Sequence, residues 1–507
     1  MKKNALVAWL ALFQLLVLSP LSAIADTKTG ETEQKQAGAS VQEVFLVKPY
    51  LQLGESASQA VLAKQESLEL IWFTTNNGKG EKWQVQSKSQ SASKWSSSKS
   101  IQAFFVGKVE NVPFYRYTVK IEGLAPGEKF SYKVLRNGSI AFDGSATARK
   151  SFNQPYSFAV FGDVGAGSAG EKKIIYQVTQ RKPDLVVMPG DITYDQGRIS
   201  QYLARFFPIV NSQESAPDKG GPLLSSSLVM TALGNHDIAM TTSWKGTDLN
   251  RFPDALGYYI FWSLPFNGPK FDYKIGQSTR NVLPLVGNET NVTNFLKAAD
   301  KRYPQIGNYS FDYGNSHWLI LDGNEYMHWG DEKLRAYVED DLTKSKATWK
   351  FVSFHQPPFS IDIYHHSEHR MRLLCDIFER TGVQVVWCGH AHNYQRYFPL
   401  KFKAKTNKDG IPMMNGNGTV TGDFILDTKF NGTTQPKMKG VLYIVSGGGG
   451  ASLYRRAPFL PKESEACHKF IHGMHSFTFC NIDDKTLSVS QISDDGKVLD
   501  QFKVETD

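Results

Sequence analysis

Apolar positions along this chain follow two different rhythms. From Val47 to about Arg149 they are short and alternating. Leu68–Phe73 is one apolar run, and Tyr115–Ile121 and Phe130–Val134 repeat with period two. Asn76-Asn77-Gly78, Pro126-Gly127 and Asn137-Gly138 supply turns between them, and no helical periodicity intervenes. The pattern predicts a small β-sandwich over residues 43–150. From Tyr156 onward the apolar runs lose their alternation: Ser157–Phe161, Leu185–Met188, Leu228–Leu233, Phe351–Phe354 and Val383–Trp387. Runs of that kind suit strands buried on both faces. Helical patterns separate them, as in Lys172–Arg181 and Met371–Arg380. The expectation is an α/β domain over residues 151–507.

Two stretches rich in Gly, Asn, Lys and Thr break that rhythm. Residues 267–305 read as a partly ordered surface insertion and 403–438 as a second excursion. Val441–Val445 is a further strand running into Gly447–Gly450, and Leu487–Ile492, Asp494-Asp495-Gly496 and Val498–Val504 make a hairpin. No internal repeat of fixed period is present.

At the start, Lys2 and Lys3 precede an apolar run from Ala5 to Leu18, followed by Ser22-Ala23-Ile24-Ala25. This is the layout of a cleaved export signal over residues 1–25, so the chain is expected to be secreted or periplasmic. Residues 26–42 are polar and aperiodic, a flexible linker. No later run is long enough for a membrane helix, so no stable membrane anchor is expected. The formal charge is +8, with Lys/Arg and Asp/Glu well mixed. There is no basic block of the kind that tracks a nucleic-acid backbone, so nucleic acid is not an expected partner. Four cysteines are present. Cys467 and Cys480 bracket a short segment and are the better candidate pair, while Cys388, inside an apolar run, reads as a buried thiol. Oligomeric state is not legible.

The chemistry is concentrated in five segments that each end an apolar run: Phe161-Gly162-Asp163-Val164-Gly165, Gly190-Asp191-Ile192-Thr193-Tyr194, Gly234-Asn235-His236-Asp237, Val352-Ser353-Phe354-His355 and Gly389-His390-Ala391-His392. Ligands at the carboxyl ends of buried strands belong to the loops that bind substrate in α/β folds. Asp163, Tyr194 and His392 form an anionic set; Asn235, His355 and His390 form a neutral one; Asp191 can bridge. A phenolate is costly to form from a group of pKa near ~10. A trivalent ion offsets that cost far better than a divalent one. Imidazole and amide oxygen suit Zn2+, Fe2+ or Mn2+. The sets therefore imply Fe3+ beside a divalent ion. Three anionic side chains against such a pair leave a net charge of about +2, which attracts phosphate and ionises water.

Together the five segments resemble the metallophosphoesterase signature Asp-x-Gly, Gly-Asp-x-x-Tyr, Gly-Asn-His-Asp/Glu, Val-x-x-His and Gly-His-x-His. Tyr194 is the mark of its purple acid phosphatase branch, and a β-sandwich ahead of the catalytic domain is similar to the large two-domain plant-type members. Leu124–Phe130 resembles the Leu-x-Pro-Gly-x-x-Tyr corner of fibronectin type III domains, with Phe130 in the Tyr place. The resemblance implies an α/β fold, a four-layer α/β/β/α sandwich, preceded by an all-β fibronectin-III-like domain. It implies Fe3+ on Asp163, Tyr194 and His392, the divalent ion on Asn235, His355 and His390, and Asp191 between them. It implies that His236 contacts phosphate and that His365 or His366 protonates the leaving group, His366 being preferred and His369 a weaker alternative.

The expected activity is hydrolysis of small phosphate monoesters in the acid range, by a metal-bound hydroxide. The alternatives are a phosphodiesterase or nucleotide pyrophosphatase on the same scaffold, and a catalytically silent metal-bound binding protein. Asp195, His317 and Asp322 read as supporting rather than ligating residues. Gly447–Gly450 lacks a following Lys-Ser/Thr and reads as a backbone turn near the site. Arg455 and Arg456 read as a solvated pair.

Overall fold

Phe158 stands edge-on to Trp318 (5.2 Å between ring centroids) and Trp387 (5.9 Å), with Phe351 at 5.8 Å. These rings come from facing strands of two sheets and form the layer between them. A computed structural model describes residues 44–55, 66–75, 80–109, 112–152, 154–239, 246–416, 418–459 and 461–506. The signal and linker segments, the Asn76-Asn77-Gly78 turn and the Met1–Glu43 unit lie outside the described residues.

Among the described residues, one sheet of the α/β region has six strands in the order Leu228–Thr231, Leu185–Met188, Tyr156–Val160, Ser476–Ile482, Thr486–Ser493 and Val498–Glu505. The first three run parallel and the last three form an antiparallel meander. The hairpin expected after Leu487 is the edge of this sheet. The second sheet has seven strands: Tyr309–Tyr313, Ser316–Ile320, Trp349–Ser353, Val385–Cys388, Leu442–Ser446, Tyr394–Tyr397 and Cys467–Ile471. Its four strands from Ser316–Ile320 to Leu442–Ser446 are parallel and buried on both faces except at Lys350, as suits a covered parallel sheet.

Helix Ala169–Arg181 covers the six-stranded sheet, burying Ile174, Ile175 and Val178; the Ser168 hydroxyl caps it by accepting from the Glu171 amide. Helix Glu332–Lys344, capped by Asp331, lays Leu334, Val338 and Leu342 on the outer face of the seven-stranded sheet beside helix Cys375–Arg380. The layers run helix, sheet, sheet, helix. The pattern at Met371–Arg380 is a 3-10 turn over Arg370–Leu374 that becomes α-helical only at Cys375.

Ahead of this domain, two four-stranded antiparallel sheets pack as a sandwich. Its core stacks Trp72 on Tyr117 at 5.3 Å. The sandwich is pinned to the α/β region by polar contacts: Tyr50 Oη donates to the Phe261 carbonyl (2.5 Å), Tyr132 Oη to the Ser225 carbonyl (2.7 Å), and Arg149, paired with Glu66 (2.6 Å), donates to the Asp312 carbonyl (3.2 Å).

One expectation changes. All four cysteines are free thiols, and the Cys467–Cys480 pair does not form. Cys467 lies on the edge strand of the seven-stranded sheet and Cys480 in the middle of the six-stranded one, so the short sequence gap spans two layers. Residues 267–305 are ordered in part, as expected. They contain helix Glu289–Ala299, capped by Asn288, which buries Val292, Phe295, Ala298 and Ala299 and packs on the sandwich strand Gln102–Val109. The 403–438 excursion likewise contributes strand Gly422–Leu426, paired with Leu400–Ala404. No helix among the described residues is long and apolar enough to cross a membrane.

Candidate metal centre

All five motif segments leave the carboxyl ends of parallel strands, from Tyr156–Val160 to Asp163, Leu185–Met188 to Asp191, Leu228–Thr231 to Asn235, Trp349–Ser353 to His355 and Val385–Cys388 to His390. Parallel strands put these ends on one rim. The chain must turn sharply there to aim side chains inward. Asp163, Asp191 and His390 do so with left-handed backbones, φ 62°, 49° and 69°. Such conformations cost of order 1 kcal/mol each and persist only where the surroundings fix them. The fixing bonds are visible: the His390 amide donates to Asp163 Oδ2 (2.9 Å) and the His236 amide to Asp191 Oδ1 (2.9 Å). Close backbone approach does the rest. A Cβ on Gly447 would stand 2.2 Å from the Ala391 carbonyl and 2.7 Å from Asp163 Oδ2. The glycine run thus packs its backbone directly against the site.

The side chains converge as two groups. Asn235 Oδ1, His390 Nδ1 and Asp191 Oδ2 each lie 3.1 Å from His355 Nε2. Tyr194 Oη lies 3.1 Å from Asp163 Oδ1, 3.1 Å from Asp191 Oδ2 and 3.0 Å from His392 Nε2. Asp191 Oδ2 belongs to both. Donors at right angles on one ion, with bonds of about 2.1 Å, stand about 3.0 Å apart. The histidine tautomers agree with that spacing. His355 Nδ1 gives its proton to the Pro189 carbonyl (2.8 Å), His392 Nδ1 to the Ser452 carbonyl (2.6 Å) and His390 Nε2 to Glu368 (2.9 Å). The inward nitrogens therefore face carboxylate, amide and phenol oxygens. Ligand atoms gathered this way hold a cation or protons between them, and the outward bonds are those that orient metal-binding imidazoles. The residues present fit two adjacent ions.

Residues 156–394 match the family model described as calcineurin-like phosphoesterase. The chain carries a calcineurin-like phosphoesterase domain. A purple acid phosphatase 21 of Arabidopsis thaliana is 24% identical over 291 residues, 56% of this chain and 53% of that protein. A probable inactive purple acid phosphatase 1 of the same plant is 22% identical over 430 residues, covering 78% and 58%. The chain thus spans little more than half the length of these curated relatives. The solved structure of purple acid phosphatase PPD1 from yellow lupin (Lupinus luteus) seeds superposes with a TM-score of 0.62 at 18% identity, over 90% of this chain and 74% of that one, a likeness of fold. The fold implies a dinuclear metal centre, and the described residues supply candidate ligand groups for it.

Electrostatics in the site follow from burial and proximity. Burial, then Asp163 and Asp191, push the Tyr194 phenol well above its ordinary value. Burial alone would lower His355, but the Asp191 carboxylate raises it to about 9. A proton and a cation compete for that place, so binding an ion releases protons. Asp237 is buried and held up, at about 7, by burial and by Asp191; it accepts from the Gly234 and Ile192 amides and ties two of the loops together.

Around the ligands stand the residues expected to meet substrate. His236 is a third exposed, with Nε2 3.9 Å from Asp191 Oδ2 and its ring 4.3 Å from Tyr194. Its Nδ1 donates to the Asp195 carbonyl (2.7 Å), so Asp195 acts through its backbone. Of the His365–His366 pair, it is His365 whose ring lies on His390, at 3.7 Å. His366 turns Nδ1 to the Asp362 carbonyl (3.0 Å), and His369 turns Nε2 to the His366 carbonyl (3.1 Å). The ring in contact with a ligand is thus His365, where the sequence preference is His366. His317 bridges Asp312 and Asp341, away from the ligands. Asp322 accepts from Tyr326 and Asn324, and Asn324 reaches the Gly234 carbonyl, so both support the Asn235 loop. Sequence reasoning passed over Glu368 and Tyr454. Tyr454 stacks on His392 at 4.0 Å, with the exposed Tyr364 edge-on to it. Neither sits in a recognisable segment.

Proposed function

We propose that this phosphoesterase is an exported acid phosphatase that hydrolyses small phosphate monoesters at an Fe3+ and divalent-ion centre. Asp163, Tyr194 and His392 hold the Fe3+; Asn235, His355 and His390 hold Zn2+, Fe2+ or Mn2+; Asp191 is shared. The observation that carries the reading is the Asp191 Oδ2 atom, 3.1 Å from both Tyr194 Oη and His355 Nε2, which joins an anionic donor set to a neutral one. When bound, such a pair of cations supplies Lewis acidity that ionises water and neutralises phosphate oxygens. Tyr194 argues for the trivalent ion, because a buried phenol between two carboxylates ionises only against a strong positive charge.

The chain's own residues then divide the remaining work. His236, open to solvent beside the shared carboxylate, hydrogen-bonds a phosphate oxygen through Nε2. His365, stacked on His390, delivers the proton that lets an alcohol leave, a role that contributes perhaps 10²-fold, to order of magnitude. Export rests on the Lys2–Ala25 pattern, and a fibronectin-III-like character of the sandwich on the Leu124–Phe130 corner. Names of the relatives include both active and inactive phosphatases, so turnover itself is the test. Purified protein should hydrolyse p-nitrophenyl phosphate faster than bis-p-nitrophenyl phosphate across the acid range. Faster diester turnover would make it a phosphodiesterase or nucleotide pyrophosphatase. Phosphate binding without turnover, unchanged in His236→Ala, would make it a silent binding protein.

A further inference from the structure

Glu368 lies outside the metal-ligand set yet touches it. Its Oε2 accepts from His390 Nε2 at 2.9 Å, and its Oε1 meets His365 Nδ1 at 2.8 Å. One carboxylate therefore holds two histidines whose rings lie 3.7 Å apart. The segment that carries Glu368 is itself pinned. Asp362 Oδ1 accepts from the Tyr364 (2.6 Å) and His365 (2.9 Å) amides, and Arg370 donates to the Gly323 carbonyl (3.3 Å). His390 differs in this from the other two ligand histidines. His355 and His392 give their outward N–H to backbone carbonyls, whereas His390 gives it to a full negative charge. A carboxylate behind an imidazole fixes its tautomer and makes its inward nitrogen a stronger donor. The ion on His390 is the one that needs this help, since its other private ligands, Asn235 and His355, are neutral.

We propose that Glu368 is a positioning residue that tightens the divalent-ion site through His390 and fixes the ring of His365 over the same site. The inference rests on the two-metal reading above. His365, Glu368 and His390 also bring ligand-type atoms within 4.8 Å of one another. His390 Nδ1 is turned to the His355 group, so an ion bound by that trio would have to share the His390 ring.

The test strips the full chain of metal, reloads one equivalent of Fe3+, and titrates Zn2+ against a chelating dye. Wild type should take one Zn2+. Glu368→Gln keeps the shape and one acceptor and should bind Zn2+ about 10-fold more weakly; Glu368→Ala should bind it up to about 100-fold more weakly. The iron content and its visible band should stay as in wild type, and the d–d spectrum of Co2+ placed in the second site should shift in both variants. Wild-type Zn2+ affinity in both variants overturns the inference. So does an equal loss of iron and zinc in Glu368→Gln, which would be a general disturbance. So does a further Zn2+ bound by wild type and lost in Glu368→Gln, which would make Glu368 a ligand. A wild-type chain that takes no second ion sinks the two-metal reading itself, a result separable from all of these.

Discussion

Asp191 Oδ2 stands 3.1 Å from His355 Nε2, while the other ring nitrogen, Nδ1, is spent on the Pro189 carbonyl. An acceptor facing an acceptor in a fully buried position is held only by a cation or a proton. Because the same oxygen also faces Tyr194, the two ions depend on it unequally from the rest. Asp191→Asn should reduce metal content from two ions per chain to one or fewer, while His355→Ala should remove the divalent ion and leave iron. Elemental analysis of the purified variants distinguishes these outcomes.

Gly447 packs where only a hydrogen fits, against the Ala391 carbonyl and Asp163 Oδ2. Gly447→Ala should cost about 1–3 kcal/mol of stability, the usual range for overpacking. It should also lower iron content, since Asp163 must move. A phosphate-cradling role would instead leave metal content intact and raise KM.

His317 couples stability to pH. Burial would lower its pKa, but Asp312 and Asp341, at 2.7 and 2.8 Å, outweigh it and raise the group to about 9. A raised folded-state pKa gives stability that is complete below the unfolded value of ~6.5 and lost as pH climbs through 9. The upper limit is about 3 kcal/mol. Thermal melts of wild type minus His317→Gln should show that loss between pH 6.5 and 9, leaving the clamp fully made at acid pH. A difference independent of pH in that window contradicts the assignment.

Arg149 joins the sandwich to the α/β layers. Its Nε pairs with Glu66 of the sandwich (2.6 Å) and its Nη1 donates to the Asp312 carbonyl of the α/β domain (3.2 Å), with both charged side chains out of solvent. Arg149→Ala should destabilise by about 3–5 kcal/mol in urea unfolding, because it strands a buried carboxylate. Replacing both charges, Glu66→Gln with Arg149→Met, should recover much of that loss.

The strands that carry the site were legible because they are apolar on both faces, and each motif follows directly on such a run. Convergence was not legible. It depends on left-handed turns at Asp163, Asp191 and His390, which non-glycine residues adopt only under tertiary constraint. Glu368 was invisible for a related reason: it sits in an irregular segment with no periodicity, and its partner His390 is 22 residues away. Helix Glu289–Ala299 carried a readable signal, Asn288 as cap and apolar Val292, Phe295 and Leu296 at helical spacing, hidden among Asn and Thr. The chain from Ile199 to Ser226 gave no pattern, because it breaks into short turns of π and α helix around a small hairpin. The cysteine pair failed because sequence proximity says nothing about which sheet a strand joins.

Tyr194 separates an iron-containing centre from a generic two-metal site, so its spectrum decides the account. The purified wild-type chain should contain about one iron and one divalent ion and show a visible absorption band from the phenolate. Tyr194→Phe, with iron still bound, should lack the band. An iron-loaded wild type with no visible band after oxidation, or a band that survives in Tyr194→Phe, would contradict the claim that this phenol binds Fe3+.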